Sequence, residues 1–143
     1  MKKLFLGLWL AALATPIFAD HELDFGEIEN GKRIYGDQCA SCHGINLEEE
    51  PNWQQRKADG TLPAPPHDES GHTWHHDNQL LFLYTKLGGQ KLMEQRGIAN
   101  FKSGMPKFDG VISDQEIIDV LAYIRSTWPE EIQSAQNSRN PKH

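Results

Sequence analysis

Cys39 and Cys42 are the only cysteines in this chain of 143 residues, separated by two residues and followed at once by His43 in "QCASCHG". Residues of these types at this spacing can do three kinds of chemistry: form a redox disulfide, supply part of a zinc site, or anchor a haem. Zinc takes four ligands, usually as two pairs, and no second cysteine pair exists. His67, His72, His75 and His76 could complete a site, but their spacing matches no zinc pattern. A thioredoxin-like disulfide belongs at a helix N-terminus among strands that alternate with helices, and such strands are missing here. Haem attachment uses all three residues, since two thiols add across vinyl groups as thioethers and the histidine lies within reach of the iron.

These side chains need elements to position them, and the sequence predicts helices. In "SDQEIIDVLAYIRSTWP", Ser113 and Glu116 form a capping box, while Ile117, Val120, Leu121 and Ile124 fall on one face at helical spacing, with Ile118 and Tyr123 widening it. Pro129 ends that helix. Residues 51–76 are expected to be mostly loop, because Gly60, Pro63, Pro65, Pro66 and Gly71 interrupt any long helix. A further helix is expected from Asp77 or Asn78 to Gly88 or Gly89, with Leu80, Leu81, Leu83, Tyr84 and Leu87 facing the core and a cofactor. The polar tail "QSAQNSRNPKH" is expected to fray.

The opening "MKKLFLGLWLAALATPIFAD" has the order of a secretory signal peptide: Lys2 and Lys3, an apolar run from Leu4 to Leu13, then small residues up to Ala19. Cleavage after Ala19 is expected. A retained membrane anchor is the alternative, but the run falls short of the about 20 apolar residues that a span needs, and Pro16 lies near its end. Residues 20–143 then form one domain, with 12 basic against 20 acidic residues and a formal charge of −8. Bulk charge of that sign excludes nucleic acid as a partner.

The chain resembles the class I c-type cytochromes, over roughly residues 26–129. "ENGKRIYGDQCASCHG" places Gly31 and Tyr35 four residues apart ahead of the cysteines, as that family's N-terminal helix places a glycine and an aromatic. "FKSGMPKF" presents Met105 where the family draws its second axial ligand, and "SDQEIIDVLAYIRSTWP" is similar to its closing helix.

The resemblance implies an all-α cytochrome c fold, with N- and C-terminal helices crossing over one covalently bound haem c and a long Pro/His-rich loop between them. Cys39 and Cys42 would carry the thioethers, and His43 and Met105 would be the axial iron ligands. Gly104 lets the backbone near Met105 come close to the haem face and Pro106 fixes the exit of the loop, while Met93 in "KLMEQRG" reads as packing. A carbonyl of Pro65 or Pro66 in "LPAPPHD" would accept the other ring hydrogen of His43. Such a protein is a one-electron carrier rather than an enzyme, here an exported periplasmic monomer shuttling between redox partners. The alternatives are a fixed haem subunit of a membrane-associated oxidoreductase, or a copper-binding or sensing cytochrome using the histidine loop at 67–76. In "HDESGHTWHHD" the expectation is Trp74 packed inward and histidines bonded to haem propionates, Asp68 or Asp77. Lys86, Lys91, Arg96, Lys102 and Lys107 against Glu94 predict a basic face beside Met105 on an acidic body.

Overall fold

Gly31, Ile34 and Tyr35 lie on one face at helical spacing, and they form the buried side of α1 (Ile28–Gln38). This computed structural model describes residues 22–141; the expected signal peptide lies outside the described residues. A 3-10 turn at Glu22–Phe25 leads into α1, and a single turn, α2 (Ala40–His43), follows it after Cys39. Then come α3 (Asn78–Leu87), α4 (Gly89–Gln95), α5 (Asp114–Ser126) and α6 (Glu130–Asn137). Among the described residues no strand forms, so the architecture is all-α as expected.

The main packing event is the crossing of α1 over α5. A Cβ on Gly31 would overlap the Asp119 carbonyl and press on Tyr123, so only glycine lets the two backbones meet this closely. Beside the crossing, Asp119 is 2 % exposed and accepts three hydrogen bonds, from the Glu27 amide (2.9 Å), Asn30 Nδ2 (2.7 Å) and Gln115 Nε2 (2.9 Å). The first satisfies a backbone N–H at the start of α1, where no side chain of α1 itself provides a cap. Two apolar clusters flank the crossing. One holds Ile34, Tyr35, Leu47, Val120, Ile124 and Trp128, and the other Leu23, Phe82, Ile117, Leu121 and Ala122.

The predicted closing helix forms as α5 with its Ser113–Glu116 capping box. Helix α3 starts where predicted, with the Asp77 side chain accepting from Leu80 N–H at 2.7 Å, and stops at Gly88, whose φ of 79° suits glycine. Its buried face differs from the expectation. Asn78, Phe82 and Thr85 turn inward, and Leu81 and Leu83 pack beside them. Leu80, Tyr84 and Leu87 form a second apolar stripe at helical spacing that is half-exposed and belongs to neither cluster. The chain also restarts a helix, α4, directly at Gly89, where the glycine pair reads in sequence only as a stop.

The described part of the tail, to residue 141, does not fray as expected. Its first part is α6, and Gln136 is fully buried, donating to the His76 carbonyl (3.2 Å) and to Asn78 Oδ1 (2.6 Å). Asn140 Oδ1 accepts from the Asn78 amide at 2.7 Å. The physical reason is that the N-terminus of α3 and the loop before it carry polar groups that water cannot reach, and the tail supplies their partners.

Burial pushes the Asp119 carboxyl up, but its three donors together outweigh that and hold it below the ordinary aspartate value. Its contribution is therefore present above the unfolded value of about 4 and is lost as pH falls through the lower folded value. Asp119→Ala should cost roughly 2–4 kcal/mol at neutral pH, since three donors lose a charged acceptor. Urea unfolding across pH should find the variant's stability less pH-dependent in that acid window than the wild type's.

Candidate functional site

The turn that holds the chemistry-bearing residues is built directly on the end of α1. The Cys39 amide closes that helix on the Tyr35 carbonyl (2.9 Å), and the Cys42 and His43 amides then both return to the Cys39 carbonyl (3.1 and 3.0 Å). One helical turn thus carries both thiols and the imidazole. Below it, the buried Tyr35 hydroxyl donates to the carbonyls of His43 and Gly44, each at 3.0 Å. Burial, with smaller help from Cys39, Tyr123 and Glu48, raises the phenol far above its ordinary value, so it stays a donor.

Both cysteines are free, Cys42 exposed and Cys39 half-buried. Burial pushes the Cys39 thiol up to about 11, and Cys42 beside it pushes the same way. A disulfide-exchange nucleophile needs the opposite, a depressed pKa, which counts against the redox reading. His43 is buried, and desolvation lowers its pKa despite the opposing Pro65 hydrogen bond and Glu50 charge, which leaves the imidazole neutral at neutral pH. Its Nδ1 lies 3.0 Å from the Pro65 carbonyl, one of the two acceptors expected. A carbonyl can only accept, so Nδ1 carries the hydrogen and Nε2 keeps its lone pair, the tautomer a metal-ligating histidine requires.

The Pro65 carbonyl is brought there by the long loop from Gly44 to Asp77. Its two limbs are tied by the His67 amide on the Leu47 carbonyl (2.8 Å), the Glu50 amide on the Ala64 carbonyl (3.0 Å) and the Ala64 amide on the Glu50 carboxylate (2.7 Å). Leu47 is buried at a φ of 67°, a strained conformation for a leucine that its packing against Tyr35 and Trp128 maintains. From the other side Trp128, at the end of α5, donates its indole N–H to the His67 carbonyl at 2.7 Å.

Met105 sits apart from that turn, on the loop between α4 and α5. The loop rests on the α3–α4 junction: Gly88 lies against the Pro106–Lys107 backbone, and the Phe108 and Asp109 amides bond to the Thr85 and Lys86 carbonyls. The Ser103 hydroxyl accepts from the Met105 amide (3.2 Å) and meets the Tyr84 hydroxyl (3.3 Å). Met105 is half-buried and belongs to neither apolar cluster, as does the neighbouring stripe of Leu80, Tyr84 and Leu87.

The histidine cluster separates only in part, since His72 and His76 still meet edge-on with ring centroids 5.7 Å apart. His67 stacks on His43 with ring centroids 4.1 Å apart, while His72 stacks on Trp53 and His75 on Trp74. Trp74 packs against the core as expected, but Asp68 and Asp77 serve local caps at Ser70 and Leu80. Among the described residues no three His, Cys, Asp or Glu side chains gather closely enough to hold a metal ion. Of the predicted basic face, Lys91, Arg96, Lys102 and Lys107 are exposed, but Lys86 is paired with Asp114 at 2.7 Å. Sequence reasoning missed the His67 stack and the Trp128, Gln136 and Asn140 contacts. The recurrence of Ile132, Gln136 and Asn140 every four residues was the available signal for a docked tail.

The family model for cytochrome c matches residues 28–128, and the chain belongs to that family, whose members carry covalently bound haem c and transfer electrons. Among curated proteins it is 30% identical over 132 residues to a nitrite reductase of Stutzerimonas stutzeri, covering 87% of this chain and 20% of that protein. It is 31% identical over 125 residues to the cbb3-type cytochrome c oxidase subunit FixP of Bradyrhizobium sp. (strain ORS 278), covering 82% of this chain and 37% of that one. To cytochrome c6 of Diacronema lutheri it is 28% identical over 101 residues, 71% of this chain and 96% of that protein. The chain therefore spans about a fifth and just over a third of the first two relatives. No solved structure matches it significantly. No helix among the described residues is long and apolar enough to cross a membrane.

Tyr35→Phe should lower stability by about 1–2 kcal/mol, because two carbonyls at the head of the cysteine turn lose their donor. Chemical denaturation of the haem-loaded protein measures this; an unchanged midpoint would mean that another donor replaces the hydroxyl.

Proposed function

We propose that this chain is an exported, periplasmic one-electron carrier in which Cys39 and Cys42 hold haem through thioethers and His43 and Met105 ligate its iron. The observation that carries this reading is the state of His43. It is neutral, tied through Nδ1 to the Pro65 carbonyl with Nε2 free, and it shares one helical turn with two free thiols. The half-open stripe of Leu80, Tyr84 and Leu87, beside the Met105 loop, supports the same reading as an apolar face for the cofactor to cover. When bound, haem supplies a one-electron Fe(III)/Fe(II) couple.

The protein's part is to fix the ligands and exclude others. The Pro65 carbonyl raises the basicity of His43, and a thioether sulfur from Met105 favours the reduced form. With His43 and Met105 both holding the iron, no position would stay open for a substrate, and we assign the chain no catalytic role. Lys91, Arg96, Lys102 and Lys107 give the Met105 side a positive face for brief docking with acidic regions of redox partners. A second reading, a haem module working within a larger oxidoreductase, is favoured by the likeness to the nitrite reductase and the FixP subunit. Co-purification from membranes would select that reading over a free shuttle.

Exported protein should give a pyridine haemochrome spectrum with both vinyl groups saturated, and a low-spin ferric spectrum with the weak red band of methionine ligation. Met105→Ala should lose that band and bind carbon monoxide in the reduced state, which the wild type should not do. Retention of the band would move the ligand to Met93.

A further inference from the structure

We propose that His67 is a positioning residue for His43: its imidazole, stacked against that of His43, sets the plane in which His43 presents Nε2. The inference rests on His43 being the iron ligand and goes beyond it. The Pro65 carbonyl alone does not set that plane. Carbonyl oxygens accept hydrogens over a broad range of directions, so one such bond fixes the place of Nδ1 better than the tilt of the ring. The His67 ring supplies the missing constraint, with its centroid 4.1 Å from that of His43 and the planes 24° apart.

A stacking partner constrains tilt only if it is itself held, and His67 is held at three atoms. Its amide donates to the Leu47 carbonyl (2.8 Å), its carbonyl accepts from Trp128 Nε1 (2.7 Å), and its Nδ1 lies 2.8 Å from Thr73 Oγ1. Tyr35 closes the other side, meeting the His67 ring edge-on at 6.4 Å. Thr73 is buried at the start of a 3-10 turn, Thr73–His75, against which α6 packs, so the anchor extends to the docked tail. An aliphatic side chain would fill the same space without presenting a plane. A ring bonded at Nδ1 fixes an orientation.

The orientation of an axial imidazole governs how its orbitals meet those of the metal, and the spread of haem methyl proton shifts in the low-spin ferric protein reads it directly. The test compares holoproteins carrying His67→Leu, His67→Phe and Thr73→Val with the wild type by paramagnetic proton NMR and thermal unfolding. His67→Leu should change the methyl shift pattern, and His67→Phe, which keeps a flat ring, should return it toward the wild type. An unchanged pattern in His67→Leu, or the same displaced pattern in both variants, overturns the proposal. If His67→Leu yields no holoprotein, Thr73→Val decides, since it keeps the ring and removes its anchor. A changed pattern at a wild-type melting midpoint supports the role, and an unchanged pattern overturns it. His43→Ala separates the two readings: retention of the wild-type low-spin spectrum there refutes His43 as ligand, whereas its loss leaves the His67 series to judge the stack.

Discussion

The close crossing of α1 and α5 at Gly31 and Asp119 is the constraint on which the rest of this molecule depends. The cysteine turn is a direct continuation of α1, so wherever α1 lies, Cys39, Cys42 and His43 follow. The end of α5 carries Trp128, from whose indole the long loop hangs by the His67 carbonyl. The two halves of the histidine's environment, the turn that bears it and the loop that supplies Pro65 and His67, thus belong to different helices. The crossing, together with the Leu47–His67 and Glu50–Ala64 ties within the loop, sets the distance between them. A loosened crossing would lengthen the 3.0 Å contact between His43 and Pro65 without any change in the residues that make it.

What was legible in the sequence is what local physics specifies. A capping box, an apolar stripe and a terminating proline define α5 without reference to the remainder of the fold. The cysteine-cysteine-histidine spacing named the candidate residues, and the family resemblance, laid on a proline-rich loop, narrowed the acceptor of His43 to two carbonyls. What escaped was set by tertiary contact. Helix α3 has two apolar stripes, and composition cannot say which one meets the core. The stripe of Leu80, Tyr84 and Leu87 turned out to be the half-open one, while Phe82 and Thr85 turn inward with Leu81 and Leu83 beside them. The tail is polar in composition, and still its Gln136 and Asn140 are buried, because they answer donors and acceptors 58 to 62 residues away in sequence.

Polar contacts do much of the work in a small domain with a modest apolar core. Asp119 gathers three donors from two helices, Gln136 gathers two acceptors, and Arg125 reaches Asp24 at 2.7 Å and Asn137 at 3.0 Å, tying the first and last described elements together. Each of these bonds adds little over water when exposed, but a buried group left without its partner costs far more than the bond gains. The network therefore acts less as added stability than as a penalty on every other arrangement of α1, α5 and α6.

That penalty is distributed unevenly around the two proposed ligands. His43 is bordered by Tyr35, Pro65 and His67, and Trp128 holds His67 from behind, through hydrogen bonds of 3.0 Å or less. Met105 lies on a loop whose residues are mostly exposed, held near the methionine by Ser103, a 3.4 Å contact from the Ser103 amide to Gln90 and the seat on Gly88, and further along by the Phe108 and Asp109 amides on the Thr85 and Lys86 carbonyls. Local opening follows local contact, so the histidine side is the fixed wall of the site and the methionine side its yielding one. For electron transfer the division is useful. The proposed histidine ligand would stand on the more tightly bonded wall, while Lys91, Arg96 and Lys107 are exposed and Lys102 Nζ is tied to the Asp59 carbonyl at 2.8 Å.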